Sequence, residues 1–552
     1  MIKALEYPDN PARQFVRKLV VDEQWIYERS SRDYTILSAL GRLCPNLMII
    51  ESNKPTREFY KELLNLRQEG HLSRVEHISE PNHSHTRNYY KTTMAFKDTL
   101  VELLVSRDLN IDIRQTGSIK AAFKIAEYLG EFKCLKRLHF DLAQDVALHR
   151  IEDLLSLCSN TSMLEAVKVT MAIKKEEETF DSDCTDVHGL SRLPSVKKFT
   201  LINREHLSNQ DMVYIMHKFP GLKHLHFTTE GHYSEESENE CYTTEVVQQF
   251  SRYMSQLDRC HLSLFKAAPA LILDAITQLS RGFKVDDLLV HASELVDDEK
   301  CGYLNILEPT QMQRMSHTIH LILPTLHVGP LYQTALEAFA PQIKKLQIYG
   351  TMNPKGTRTN TSSISNVQIA TNRILSESVS FVSSNFTRLR KLYLYNLIIS
   401  TRSSTEMMRN TRLHLDDLYI YQCALNPQTL HRFSHCLDYV RRFRLEDVAF
   451  WIRDDLTMVD DQKSCEIDMP YTAFDTIFLP DDHPADVILV KVWTDTTTKH
   501  FLHRRNHDGG NEVAEQDYNE IKALDGNTQS IHVKCRKCTA IDFGCCRFLI
   551  RN

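Results

Sequence analysis

Ser208-Asn209-Gln210-Asp211, then Met212, Ile215, Met216 and Phe219, then Pro220-Gly221, then Leu222-Lys223-His224-Leu225-His226-Phe227: this stretch of the chain decides the fold. A serine followed three residues later by an acid is the signature of a capped helix start, because each side chain satisfies an orphan N–H of the first turn. The apolar residues that follow recur at helical spacing. Pro220-Gly221 stops the helix. Leu222-x-x-Leu225-x-Phe227 then alternates as a half-buried strand does, with its apolar side chains on one face. The unit is helix, turn, strand, and its apolar face is too large to be buried alone.

The strand motif recurs. Clear copies begin at Val16, Leu135, Val196, Leu222, Ile343, Leu389, Leu415 and Val440. Weaker ones begin at Leu47, Leu72, Leu100, Leu164, Leu257, Val285 and Ile319. From Val16 to Val440 the spacing averages (440 − 16)/14, or about 30 residues. A constant period of this length marks stacked supersecondary units rather than separate domains. Gly117–Tyr128, Thr244–Leu257 and the segment after Asn426-Pro427 read as further amphipathic helices between strands.

Leu43-Cys44-Pro45-Asn46-Leu47, Phe219-Pro220-Gly221-Leu222 and Leu415-x-x-Leu418-x-Ile420-x-x-Cys423 carry a family resemblance. The chain resembles the irregular, cysteine-containing leucine-rich repeats of fungal F-box/leucine-rich-repeat proteins. The resemblance implies an α/β leucine-rich-repeat solenoid, with parallel strands on the concave face and helices outside. About 15 repeats would fill residues 1–450, and 451–552 would form a β-rich C-terminal capping region. Strands are expected there at Phe474–Leu479, Val487–Thr494, Lys499–Arg504 and Ser530–Lys534. In that family the repeats select a protein substrate and an F-box docks on the adaptor of a cullin-RING (SCF) ubiquitin ligase. No Leu-Pro-x-Glu-like F-box start is found here. Adaptor binding is therefore expected only if an F-box lies upstream in a longer form, and a scaffold without a ubiquitin role is the alternative reading.

Between the apolar positions of each strand lie residues that face outward. In the late repeats these are Lys345, Gln347 and Tyr349; Lys391, Tyr393 and Tyr395; Asp417, Tyr419 and Tyr421; and Arg442, Arg444 and Glu446. Tyr and Arg are the types most enriched at binding hot spots. The expected partner-binding residues are Lys345, Tyr349, Lys391, Tyr393, Tyr395, Asp417, Tyr419, Tyr421, Arg442 and Arg444. Their cations suit an acidic or phosphorylated segment. The bland alternative is that Tyr and Arg merely solvate an exposed sheet face.

Other chemistries find little support. Lys+Arg total 66 and Asp+Glu 72, a net charge of −6, which does not suit a dedicated nucleic-acid binder. Glycine occupies only 16 positions, and no GxGxxG, GxxxxGK, GxSxG or HExxH is present. No enzyme activity and no cofactor are expected. His224-x-His226 offers two ligands where zinc needs four. Cys535-x-x-Cys538 with Cys545-Cys546 and His532 allows a zinc reading, set against buried structural thiols. No apolar run reaches the roughly 18 residues of a membrane helix. With no signal peptide and with cysteines in apolar settings, the expected compartment is cytoplasmic or nuclear. The acidic run 230–240 and the Ser/Thr/Asn-rich run 351–366 read as exposed loops.

Overall fold

The computed structural model describes residues 10–21, 34–81, 85–107, 128–142, 148, 155, 163–171, 190–202, 207–228, 242–293, 302–307, 316–324, 337–350, 386–399, 412–425, 427–450, 464–479, 486–504, 510–524, 528–543 and 547–550. The helix expected over 117–128, the loops 230–240 and 351–366, and Cys545 and Cys546 lie outside these, Tyr128 excepted. The fold is mixed α/β, with mostly parallel sheet. By compactness the chain divides into two units, Met1–Leu264 and Phe265–Asn552.

Unit 1 alternates strands and helices. Its strands are β1 Lys18–Val21, β2 Ile49–Ser52, β3 His77–Ile78, β4 Glu102–Arg107, β5 Arg137–Leu142, β6 Ala166–Met171, β7 Lys198–Ile202, β8 His224–Thr228 and β9 Arg259–Ala267, whose last three residues count with unit 2. Between them stand α1 Tyr34–Leu43, α2 Arg57–Gln68, α3 Thr86–Ala95, α4 Asn209–Lys218 and α5 Thr244–Met254. Each strand pairs in parallel with the next in sequence from β1 to β3 and from β4 to β9. The Val101 N–H donates to the Glu76 carbonyl at 2.8 Å across the β3–β4 step.

The register follows the motif. Leu138, Val167, Phe199, Leu225 and Cys260 align across β5 to β9. All five are 1% exposed or less. Full burial of a Leu or Phe side chain stabilises by about 1.5–3 kcal/mol, so this row is a main source of cohesion between units of the repeat. The cap on α4 is as read: the Asp211 N–H donates to Ser208 Oγ at 3.1 Å and the Ser208 N–H donates to Asp211 Oδ2 at 3.0 Å. Gly221 serves a different purpose from a helix stop. Its φ is not positive. A Cβ there would sit 2.3 Å from the carbonyl oxygen of Pro194 in the preceding repeat. Glycine is required by close approach of backbones.

Two anchors differ from the sequence reading. Ile50 aligns with Ile78, so the third repeat is anchored at Val75. Leu72 sits in the turn after α2 with φ +55°. In a Leu-rich chain both residues satisfy the same spacing. The second is Ile319, which aligns with Leu288 of unit 2.

Unit 2 begins with α6 Pro269–Leu279, β10 Val285–Ser293, β11 Gly302–Leu307 and β12 His317–Pro324. β10 pairs in parallel with β12 on one side and, on the other, with β13 Lys345–Tyr349. β11 is antiparallel to β12. The β11–β12 hairpin thus interrupts the simple order, and Ile319 aligns with Leu288, the fourth rather than the first motif position. Regular order then resumes through β14 Lys391–Tyr395, the short β15 Ile398–Ile399, β16 Leu413–Tyr421, the short β17 Ala424–Leu425, α7 Pro427–Cys436, β18 Leu437–Glu446 and the short β19 Ala449–Phe450. β15, β17 and β19 form a separate parallel ladder.

Each long strand ends in a corner. Asn396, Gln422 and Asp447 adopt φ of +54°, +51° and +53°. Each lies seven residues after its anchor, and Gly350 holds the same position one repeat earlier. The N–H groups of Gly350, Asn396 and Gln422 donate to the carbonyls of Tyr395, Tyr421 and Glu446 at 2.8, 3.0 and 3.0 Å. The left-handed conformation turns the chain toward the second ladder while keeping this bond to the next repeat.

The C-terminal region is β-rich: β20 Ser464–Phe478, β21 Val487–Trp493, β22 Thr498–Arg504, β23 Gly510–Val513, β24 Thr528–Asp542 and β25 Arg547–Leu549. It also holds a helix that the sequence reading lacked, α8 Glu515–Leu524, whose Tyr518 packs on Val487 and Leu489. Gly510 and Asn511 open β23. β20 continues the repeat register: Val440 aligns with Phe474 and Phe443 with Ile477. Phe474-x-x-Ile477-x-Leu479 is one more copy of the motif. The Arg536 guanidinium donates to Asp438 Oδ1 at 2.7 Å and to its carbonyl at 2.9 Å, tying β24 to β18.

Candidate functional site

β13, β14, β16 and β18 are parallel and in register, which fixes the outward residues in three rows. Lys345, Lys391, Asp417 and Arg442 align in the first. Gln347, Tyr393, Tyr419 and Arg444 align in the second. Tyr349, Tyr395, Tyr421 and Glu446 align in the third. All ten residues expected at the partner-binding face therefore lie on one side of four neighbouring strands. The other side is core: Leu346, Leu392, Leu418 and Phe443 are buried. In β13 and β14 burial alternates strictly, buried side chains between half-buried ones.

The tyrosines form one block. Tyr349 and Tyr395 stack with ring centroids 4.3 Å apart and planes 5° from parallel. Tyr419 meets Tyr395 edge-on at 5.6 Å and Tyr393 edge-on at 6.1 Å. Tyr421 contacts Tyr395 at 6.0 Å and Tyr419 at 5.9 Å. Such aromatic pairs contribute about 0.5–1.5 kcal/mol each beyond area burial, so the rings hold one another in place. Burial pushes the Tyr393 hydroxyl up from its ordinary value. Burial also raises Tyr395 and Tyr419, and the Glu446 carboxylate beside Tyr419 adds to it. The Tyr419 hydroxyl donates to Glu446 Oε2 at 2.6 Å.

The cations are engaged within the face. Arg442 grips Asp417 with two bonds, Nε to Oδ1 at 2.5 Å and Nη2 to Oδ2 at 2.8 Å. Lys391 Nζ lies 3.7 Å from the same carboxylate. Lys345 Nζ sits 5.4 Å from the Tyr393 ring centre. Arg444 lies between Tyr419 and Phe478, 5.5 and 5.2 Å from the two ring centres. Phe478 extends the second row onto β20. The sequence reading missed it, although the motif copy at Phe474 was there to find.

The other candidates sit elsewhere. Cys535 and Cys538 are free thiols buried on β24, and a hydrogen bond between them together with burial pushes the Cys535 thiol up. His532 contacts the Trp493 ring edge-on at 5.4 Å. His224 and His226 lie on β8, where His226 stacks on His261 of β9 at 4.5 Å. Among the described residues no group of three or more His, Cys, Asp or Glu is arranged to hold a metal ion. Among the same residues no helix is long and apolar enough to cross a membrane. No protein-family model matches the chain, and no curated protein matches it.

Proposed function

We propose that the chain is a protein-recognition module built as a leucine-rich-repeat solenoid, with β13, β14, β16 and β18 presenting the partner-binding face. The observation that supports this best is the register of those four strands, which gathers five tyrosines into one pre-ordered block. Rigid aromatic side chains add contact area at small entropic cost, which is why such blocks anchor protein partners. Within that reading the chain is the substrate receptor of an F-box (SCF) ubiquitin ligase, acting from the cytoplasm or nucleus. This part rests on the resemblance of the repeats, and adaptor recruitment belongs to a form that carries an F-box. An acidic or phosphorylated substrate segment would compete with Asp417 for Arg442 and Lys391.

The engagement of those cations by Asp417 favours the second reading, a repeat scaffold with no ubiquitin role. Replacing Tyr393, Tyr419 and Arg442 together by Ala tests the face: a folded triple variant should lose partner capture, and unchanged capture would remove the face from the account. Co-purification of the longest form with the cullin adaptor separates ligase receptor from scaffold.

A further inference from the structure

The outward face of β6 to β9, in unit 1, differs from the tyrosine block in chemistry. Lys198, His224 and Arg259 align in one row across β7, β8 and β9. Lys168, Thr200, His226 and His261 align in the next across β6 to β9. Lys198 and Arg259 are exposed and Lys168 is half-buried. Among the described residues, none of these three cations closes an ion pair, in contrast to Arg137 beside them, which lies 3.3 Å from Glu102. Glu80, whose carboxylate feels the Lys168 charge, is already bonded to His139 Nδ1 at 2.7 Å. Burial pushes the Glu80 carboxyl up, but His139 and Lys168 outweigh it and hold Glu80 below its usual range.

We infer that this face receives an extended acidic peptide, its negative groups supplied by carboxylates or by phosphoserine. Neighbouring strands are about 4.8 Å apart, so Lys198 and Arg259, two strands apart, are separated by about 10 Å. A peptide extended in the polyproline II conformation has three residues per turn and rises about 3.1 Å per residue, which brings side chains at i and i+3 to one side at about that spacing. Lys168 lies one strand and one row from Lys198, about 8 Å away, and takes a third anion. The imidazoles of His224, His226 and His261 line the space between. Single-stranded nucleic acid fits less well. Its binding surfaces supply aromatic stacking platforms, and the two rows aligned across β6 to β9 hold no Phe, Tyr or Trp. The inference does not depend on the tyrosine block, because it concerns other residues in the other unit.

Fluorescence anisotropy on the full chain tests it, with four labelled probes: a Glu/Asp octapeptide, an octapeptide carrying phosphoserine at i and i+3, an uncharged Gln/Asn octapeptide and an eight-nucleotide oligo-dT. The two anionic peptides should bind in 50 mM salt and weaken steeply in 300 mM. Lys168→Glu/Lys198→Glu/Arg259→Glu should lower their affinity at least tenfold with an unchanged melting temperature. Lys61→Glu, exposed on α2, should leave binding unchanged. If the triple variant is unstable, the milder Lys198→Ala/Arg259→Ala should still lower affinity several-fold. Equal binding of the uncharged peptide, wild-type affinity in the charge-reversed variants, or tighter binding of oligo-dT than of both anionic peptides would each overturn the inference.

Discussion

Asp417 is the point at which the tyrosine-lined face either satisfies itself or stands ready for a partner. Its side chain is 13% exposed, against 51% for Arg442 and 43% for Lys391. A hydrogen bond to a buried charge contributes about 1.5–3 kcal/mol, while an exposed ion pair contributes about 0.2–1. With a mostly buried acid and a half-exposed base, the two-bond Asp417–Arg442 contact falls between these limits. A double-mutant cycle with Asp417→Asn and Arg442→Ala should give a coupling of about 1–1.5 kcal/mol in urea unfolding at low salt. In 1 M NaCl, where the screening length shrinks to about 3 Å, the coupling should fall to about half. Asp417→Asn should also release Arg442 and Lys391 and so strengthen binding of an anionic peptide to this face. A coupling below about 0.3 kcal/mol would refute the reasoning, because the two bonds would then do no more than an average surface pair.

Three further outcomes follow from the same geometry. Gly221→Ala should destabilise by about 1–3 kcal/mol in chemical denaturation, because the new methyl meets the fixed Pro194 carbonyl oxygen rather than a side chain that can swing away. Gln422→Gly should stabilise by about 0.5–1 kcal/mol, since φ +51° costs a glutamine more than a glycine and its side-chain bond to Asp447, at 3.5 Å, is long; a loss of stability would show that this bond matters more than the backbone. His435, His500 and His532 are held below the ordinary imidazole value, in each case chiefly by burial. Between about pH 6.5 and their lower folded values the unfolded chain binds more protons, so stability should fall as pH drops through that window, and His500→Gln with His532→Gln should flatten the urea midpoint against pH.

The strands were legible because their signal is local: an apolar residue at every second position, repeated at a near-constant period. Every anchor from Val16 to Val440 except Leu72 has a strand at it or within two residues of it, and the ten outward residues fall on one face because parallel register follows directly from the motif. What was not legible depends on neighbours. Leu72 and Val75 offer the same spacing, and only pairing with Ile50 decides between them. The insertion of β11 and β12 beside β10 leaves no mark on the period, because Ile319 itself keeps the pattern. The engagement of Arg442 by Asp417 needs the register of β16 and β18, which lies 25 residues away in sequence. The corner residues Asn396, Gln422 and Asp447 were readable in principle, since all stand seven positions after an anchor, but they are two amides and an acid rather than the glycine that usually marks the left-handed conformation.

A protein partner bound to the outward face of β13, β14, β16 and β18 would lie within reach of crosslinkers placed there. Photo-crosslinking groups placed singly at 393, 419 and 421, with a control at Lys61 on α2, test it most directly. The three face positions should capture one and the same protein, the control should capture none of it, and Arg442→Ala should weaken the capture. Adducts of equal yield from Lys61 and from the face, or unrelated proteins from each of the three positions, would contradict it.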